Sequence, residues 1–228
     1  MICIKGIIGT FFAILLPVSL KKTGGLFMSD VAMLNRFASI KEIKTELFRK
    51  SIHMMVAFVP TMARYNLAFT FSALVFAILF YSYSEFMRIR GIEITIISRI
   101  TVAASRNRDT GFVFGPVTLA IGALMALMLY PEPAAVIAIY ALAFGDGFSS
   151  LFGKLFGRIS IPFTGGKTFA GSFACLISVF LTTLAVTGSI RIAVIIAVST
   201  TLFEVLPSGD LDNMLIPVGT GLVAVLIM

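Results

Sequence analysis

The sequence predicts an all-α integral membrane protein, a bundle of about seven transmembrane helices. Of the 228 residues, 58% are apolar and only 13% are charged, against roughly a quarter charged in an ordinary soluble domain. The few charges also leave long uncharged runs, several of them near the roughly 20 residues that cross the hydrocarbon of a bilayer. These two observations exclude a soluble globular enzyme and a disordered chain.

Seven apolar segments follow one another along the chain. They are 51–63, 65–84, 110–131, 133–153, 168–190, 192–206 and 213–228. The first is short, and it crosses a bilayer only if the basic residues near its start snorkel to the surface. Residues 51–228 are therefore interpreted as one membrane-embedded domain, which follows an N-terminal segment of residues 1–50.

The basic residues predict the orientation of the bundle. Fifteen of the 18 Lys and Arg fall in three segments, 21–50, 85–109 and 154–167. Short loops rich in Lys and Arg stay in the cytoplasm. We therefore expect an integral protein of the cytoplasmic membrane, if the cell is bacterial, with its longer polar loops and any active site facing the cytoplasm.

The N-terminal segment has three interpretations. Residues 6–20 form a 15-residue apolar run behind Lys5, which resembles either a signal peptide or a short anchor. Alternatively, translation begins at Met28, where a polar amphipathic stretch of about 20 residues opens. The sequence does not decide among them.

Asp146 is the clearest candidate functional residue. It lies inside an apolar segment between Gly145 and Gly147, and an ionisable residue at such a depth marks function by default. Lys154 lies just beyond the end of this segment. An aspartate and a lysine so placed suit an anion and its metal. The alternative is a buried ion pair with an arginine of a neighbouring span.

A glycine-rich loop with a lysine precedes the segment at 168. Gly166, Lys167 and Thr168 open a long apolar helix, and Ser172 lies in its first turn. Free N–H groups at a helix N-terminus favour an anion, and the lysine adds a point charge. The alternative is a snorkelling lysine on a glycine turn.

Acidic residues cluster in an otherwise apolar C-terminal region. Glu204, Asp212 and the amide of Asn213 lie within ten residues, and Mg²⁺ is usually held by one or two carboxylates together with substrate phosphates. The metal candidates are therefore Asp146, Glu204 and Asp212. The alternative is a solvated turn.

Further candidates precede these motifs. Lys50 and His53 are spaced to share one helix face, and Arg108 provides a second possible contact to an anion. The predicted topology brings all these groups to one membrane face. Carboxylates for a metal and cations for phosphates suggest phosphoryl or nucleotidyl transfer to a lipid.

These motifs, in this order, resemble the CTP-dependent lipid kinases, the group that contains dolichol kinase, phytol kinase and CTP-dependent diacylglycerol kinase. The resemblance runs from about residue 49 to 228 and includes Gly145-Asp146-Gly147, Gly166-Lys167-Thr168 and Asp212-Asn213. It implies transfer of the γ-phosphate of CTP to a lipid alcohol, with Mg²⁺ or another divalent cation. Asp146, Lys167 and Asp212 would be catalytic.

By the same resemblance, a second set of residues would bind substrate. It comprises Lys50, His53, Arg108, Lys154, Gly166, Thr168, Ser172 and Asn213. Phosphatidate cytidylyltransferases are distant relatives of the group, and an enzyme that makes a CDP-lipid is the first alternative. A small transporter is the alternative from another class. No nucleic-acid partner is expected, and neither the lipid acceptor nor the oligomeric state follows from the sequence.

Overall fold

The structure, a computed structural model, describes residues 43–92, 101, 111–207 and 209–228. All of them belong to a compact unit, Glu42–Met228. The apolar run at 6–20, the alternative start at Met28 and the candidate Arg108 lie outside the described residues.

The described chain is all helical, with no β-strand among these residues, as the sequence predicts. Residues 43–54 form helix α1. The helices that follow are α2 (Val59–Tyr65), α3 (Leu67–Ile89), α4 (Gly115–Leu129), α5 (Ala134–Tyr140), α6 (Gly147–Phe156), α7 (Phe169–Thr187), α8 (Ile190–Val205) and α9 (Asp212–Ile227). A 3₁₀ turn, Met55–Phe58, joins α1 to α2, and a π-helical segment, Ala141–Asp146, joins α5 to α6.

Polar caps set several helix ends. The side chain of Asn66 accepts a hydrogen bond from the Phe69 amide at 2.9 Å, and Thr168 Oγ1 accepts one from the Gly171 amide at 3.2 Å. Such side chains satisfy N–H groups that have no partner inside the helix. α7 ends at Gly188, whose φ of 67° suits glycine.

Within the described part of the chain, three helical stretches are long and apolar enough to cross a membrane: Leu67–Ile89, Ala134–Phe156 and Phe169–Thr187. α4 and α9 are apolar but shorter. The first predicted span, 51–63, is interrupted by the 3₁₀ turn. The predicted fold class, a helical membrane bundle, is thus confirmed, while the count of seven spans stays a prediction.

The stretch Ala134–Phe156 is the centre of the bundle. Two-thirds of its apolar window, 67%, is buried inside the protein, against 11% for Leu67–Ile89. Small side chains such as Ala141 and Ala197 let α7, α8 and α9 pack closely around it. Because Asp146 ends the π segment of this stretch, the packing of the core sets where that carboxylate lies.

Candidate active site

Asp146 lies in a cluster of three ionisable side chains, which we call the Lys50 cluster: Lys50, His53 and Asp146. Lys50 Nζ donates to Asp146 Oδ2, and His53 Nε2 lies 3.2 Å from the same oxygen. The exposed fractions of the three side chains are 4%, 7% and 8%. The partner of Asp146 is therefore a lysine of α1, in place of the arginine that the alternative interpretation expected.

The tautomer of His53 follows from its neighbours. Nε2 lies 2.9 Å from the carbonyl oxygen of Leu142 as well as close to Asp146. Both neighbours are hydrogen-bond acceptors, so Nε2 carries the proton. His53 thereby links α1 to the π segment and orients the carboxylate of Asp146.

A second group, the Lys167 cluster, consists of Lys167, Ser172, Glu204 and Asp212. Lys167 Nζ lies 2.7 Å from Asp212 Oδ2 and 3.6 Å from Glu204 Oε1, and it also donates to the backbone carbonyl of Glu204. Ser172 Oγ donates to Glu204 Oε2 at 3.1 Å. The cluster joins the start of α7 to the end of α8 and the start of α9.

The loop before α7 is held in a closed turn. The Ile161 amide donates to the Lys167 carbonyl at 2.8 Å, and the Phe169 amide donates to the Ile159 carbonyl at 3.2 Å. Gly166 has a φ of 99° and faces open space, so glycine is needed there for its backbone. Gly171 is needed for packing, since a Cβ there would lie 2.6 Å from the Ser149 carbonyl.

Both clusters border one cavity of about 360 Å³, within the roughly 300–1,000 Å³ of small-molecule sites. The predicted site residues that line it are Lys50, Asp146, Lys154, Gly166, Lys167, Thr168, Glu204, Asp212 and Asn213. His53 and Ser172 do not line it, but each contacts a carboxylate that does. The structure thus gathers residues from five helices, α1, α6, α7, α8 and α9, from the π segment and from the loop before α7.

Asn213 is held by α4. Its Nδ2 donates to Thr118 Oγ1 at 2.9 Å and to the Gly115 carbonyl at 3.3 Å. A Cβ at Gly122 would lie 1.9 Å from the Asn213 carbonyl, so the two helices touch here. That carbonyl lacks the usual helical donor four residues on, because Pro217 has no N–H. These contacts make Asn213 a tether for the start of α9.

Sequence reasoning missed Glu46 and did not select Arg49. Glu46 is buried, and its carboxylate contacts Arg49 Nη2 at 2.5 Å and Lys154 Nζ at 3.3 Å. Glu46, Arg49, Lys50 and His53 follow the i, i+3, i+4, i+7 spacing of one helix face. That spacing is the signal that could have found them.

The described residues include no group of three His, Cys, Asp or Glu side chains that could hold a metal ion. The carboxylates of Asp146, Glu204 and Asp212 each lie next to a lysine ammonium. They fit Mg²⁺ only as part of a metal–nucleotide complex, since such an ion keeps phosphate and water ligands and needs one or two protein carboxylates.

Comparison with known proteins finds similarity to proteins named probable phytol kinases. The chain is 29% identical over 131 residues to a probable chloroplastic phytol kinase of Triticum aestivum, an alignment that covers 50% of this chain and 44% of the relative. Probable phytol kinases of Oryza sativa subsp. japonica and Glycine max are 25% and 26% identical over the same length, covering 42% and 45% of those proteins.

The chain thus aligns with less than half the length of these curated relatives. No family model and no solved structure matches it. The similarity confirms the resemblance to the phytol kinase group that the motifs indicate.

Proposed function

We propose that the protein is a CTP-dependent lipid kinase, which transfers the γ-phosphate of CTP to the hydroxyl of a membrane lipid alcohol at the cytoplasmic face. The acceptor would be polyprenol-, phytol- or diacylglycerol-like. The observation that carries the proposal is the cavity in which four basic and four acidic side chains converge among apolar helices. The similarity to proteins named phytol kinases supports phosphorylation of a lipid alcohol.

Phosphoryl transfer needs positioning and charge neutralisation more than covalent chemistry by the protein. Asp146 is suited to accept a hydrogen bond from the acceptor hydroxyl and then to receive its proton. Lys50 and His53 hold that carboxylate in place through contacts to its Oδ2 atom.

Lys167 is suited to neutralise charge on the transferred phosphoryl group. Its ammonium lies between Glu204 and Asp212, and these two carboxylates would hold Mg²⁺ together with the nucleotide. The ion, when bound, supplies neutralisation of the phosphate oxygens. Ser172 keeps Glu204 in place by a direct hydrogen bond. Asn213 keeps Asp212 in place by holding the start of α9.

A labelling experiment tests the proposal. Protein purified in detergent is incubated with Mg²⁺, a lipid alcohol, and CTP labelled at either the γ- or the α-phosphate. Label that enters the lipid only from the γ position is the expected result. The Asp146→Asn variant should transfer nothing, while Lys44→Gln, which removes an exposed charge of α1 away from the cavity, should transfer normally.

Two results would contradict a kinase. Incorporation of the α-label with phosphatidate as acceptor would identify a cytidylyltransferase. The absence of transfer to phytol, polyprenol, diacylglycerol and phosphatidate would favour a transporter.

A further inference from the structure

The clusters of charged side chains around the cavity differ in their numbers of basic and acidic groups. In the Lys50 cluster one lysine faces one carboxylate, and in the Lys167 cluster one lysine faces two. A third group, which we call the Glu46 cluster, comprises Glu46, Arg49 and Lys154. It alone among the three has more basic than acidic side chains, a formal excess of one positive charge.

The two cations of the Glu46 cluster come from different helices. Glu46 Oε1 contacts Arg49 of α1 at 2.5 Å, and Glu46 Oε2 contacts Lys154 of α6 at 3.3 Å. The Glu46 side chain is 2% exposed, whereas those of Arg49 and Lys154 are 26% and 38% exposed. A buried carboxylate thus holds two like charges side by side at the cavity, on side chains that are partly exposed.

Arg49 also has an unused donor. Its Nε is buried and makes no hydrogen bond, although Arg49 lines the cavity. A buried N–H without an acceptor is destabilising, and buried polar atoms in proteins nearly always have a partner. An anion bound in the cavity beside Arg49 and Lys154 would offset the excess charge. Guanidinium groups match phosphate in this way.

We propose that Arg49 and Lys154 form the subsite for the diphosphate group of the donor nucleotide, with Glu46 as the residue that positions both. The proposal rests on the proposed function and deepens it. Two clusters that border one cavity then have different functions. The Glu46 cluster, with its two cations, binds phosphates, and the Lys167 cluster, with its two carboxylates, accommodates the metal and the transferred group.

Binding of inorganic pyrophosphate tests the subsite without any lipid. The full-length protein in a neutral detergent is titrated with pyrophosphate and with CTP by calorimetry. Arg49→Gln and Lys154→Gln should each weaken pyrophosphate binding by about 10-fold or more, the loss expected for a hydrogen bond to a charged group. Arg49→Lys keeps the charge without the planar fork, so its affinity should fall between those of Arg49→Gln and the unmodified protein.

The controls remove equivalent charges elsewhere. Lys44→Gln on α1 and Arg158→Gln after α6 neutralise residues that do not line the cavity, and both should bind pyrophosphate as the unmodified protein does. In the kinase assay, Arg49→Gln should raise the KM for CTP and the inhibition constant of CDP about 10-fold. Inhibition by CMP, which carries no diphosphate, should change less than inhibition by CDP.

Three results would overturn the subsite. The first is unchanged pyrophosphate affinity in both glutamine variants, folded as judged by gel filtration. The second is an equal loss in the two controls. The third is that the glutamine variants lose only their binding to vesicles that contain phosphatidate, which would identify a lipid headgroup site. If the unmodified protein binds pyrophosphate through Arg49 but transfers no label from CTP, the subsite stands and the kinase proposal fails.

Discussion

The Lys50 cluster and the Lys167 cluster use the same pair of side chains, a lysine and an aspartate, in different settings. Lys50 and Asp146 belong to helical segments and are almost fully buried. Lys167 and Asp212 are 18% and 12% exposed, and they lie where a glycine loop meets α7 and where α9 begins. We therefore expect the two ion pairs to differ in role, because a partly solvated lysine exchanges its partner for a ligand more readily than a fully buried one.

The largest effect should come from Lys167. Lys167→Ala should abolish lipid phosphorylation, with at least about 1,000-fold loss, because the group that neutralises the transferred phosphate is gone. The protein should still insert and elute as a single species, since the pair is partly solvated. Arg158→Ala, in the same loop, should stay active. Full activity of Lys167→Ala would remove this lysine from the mechanism.

Lys50 should instead be needed for stability. Lys50→Met leaves the Asp146 carboxylate buried without its partner, a change that lowers the free energy of unfolding by about 3–5 kcal/mol. The double variant Lys50→Met/Asp146→Leu should recover much of this loss while remaining inactive. Thermal unfolding in detergent measures both. A Lys50→Met variant with the melting temperature of the unmodified protein would show that the Lys50 cluster tolerates the loss of its lysine as well as the Lys167 cluster does.

Metal dependence should separate the clusters further. Removal of divalent cations with EDTA should stop transfer, and added Mg²⁺ should restore it. Glu204→Gln should raise the Mg²⁺ concentration for half-maximal activity about tenfold, because one candidate metal ligand loses its charge. The matched control is Glu132→Gln, at an exposed acid between α4 and α5. An unchanged Mg²⁺ requirement in Glu204→Gln would exclude Glu204 as a ligand.

The smallest effect should come from the tether of α9. Thr118→Val removes the hydroxyl that accepts from Asn213 Nδ2. It should lower kcat several-fold, and by no more than about tenfold, since a displaced Asp212 loses part of its orientation. Thr182→Val provides the control, because Thr182 Oγ1 bonds only to carbonyls of its own helix. A Thr118→Val enzyme with normal kcat would show that Asp212 is positioned without the tether.

Sequence and structure agree on which motifs meet. The residues Asp146, Lys167 and Asp212 lie up to 66 positions apart, yet they border one cavity. The order of apolar segments and the grouping of bases predict this, because consecutive spans bring alternate loops to one face. Three local signals in the sequence indicate the site: an acid within an apolar run, a glycine-flanked lysine at a helix start, and acids at the start of the last helix.

The pairing of side chains was harder to predict. The alternative interpretation of Asp146 named an arginine as its partner, and the structure has Lys50. The contact of the Asn213 amide with Thr118 had no signal in the sequence, while substrate binding by Asn213 stays a prediction. Such contacts depend on the rotation of each helix about its axis. A π segment such as Ala141–Asp146 changes that rotation by its extra residue per turn, and no local pattern predicts it.

By itself, then, the sequence determined the helical class, the approximate positions of the helices and the candidate residues of the site. These depend on apolar run length, capping residues and charge, all of which act locally. Only the tertiary structure decided which lysine compensates which carboxylate, that Asn213 tethers α9, and that Glu46 joins Arg49 to Lys154. These pairings connect helices far apart in sequence, and their geometry is set by close packing of small residues across the whole bundle.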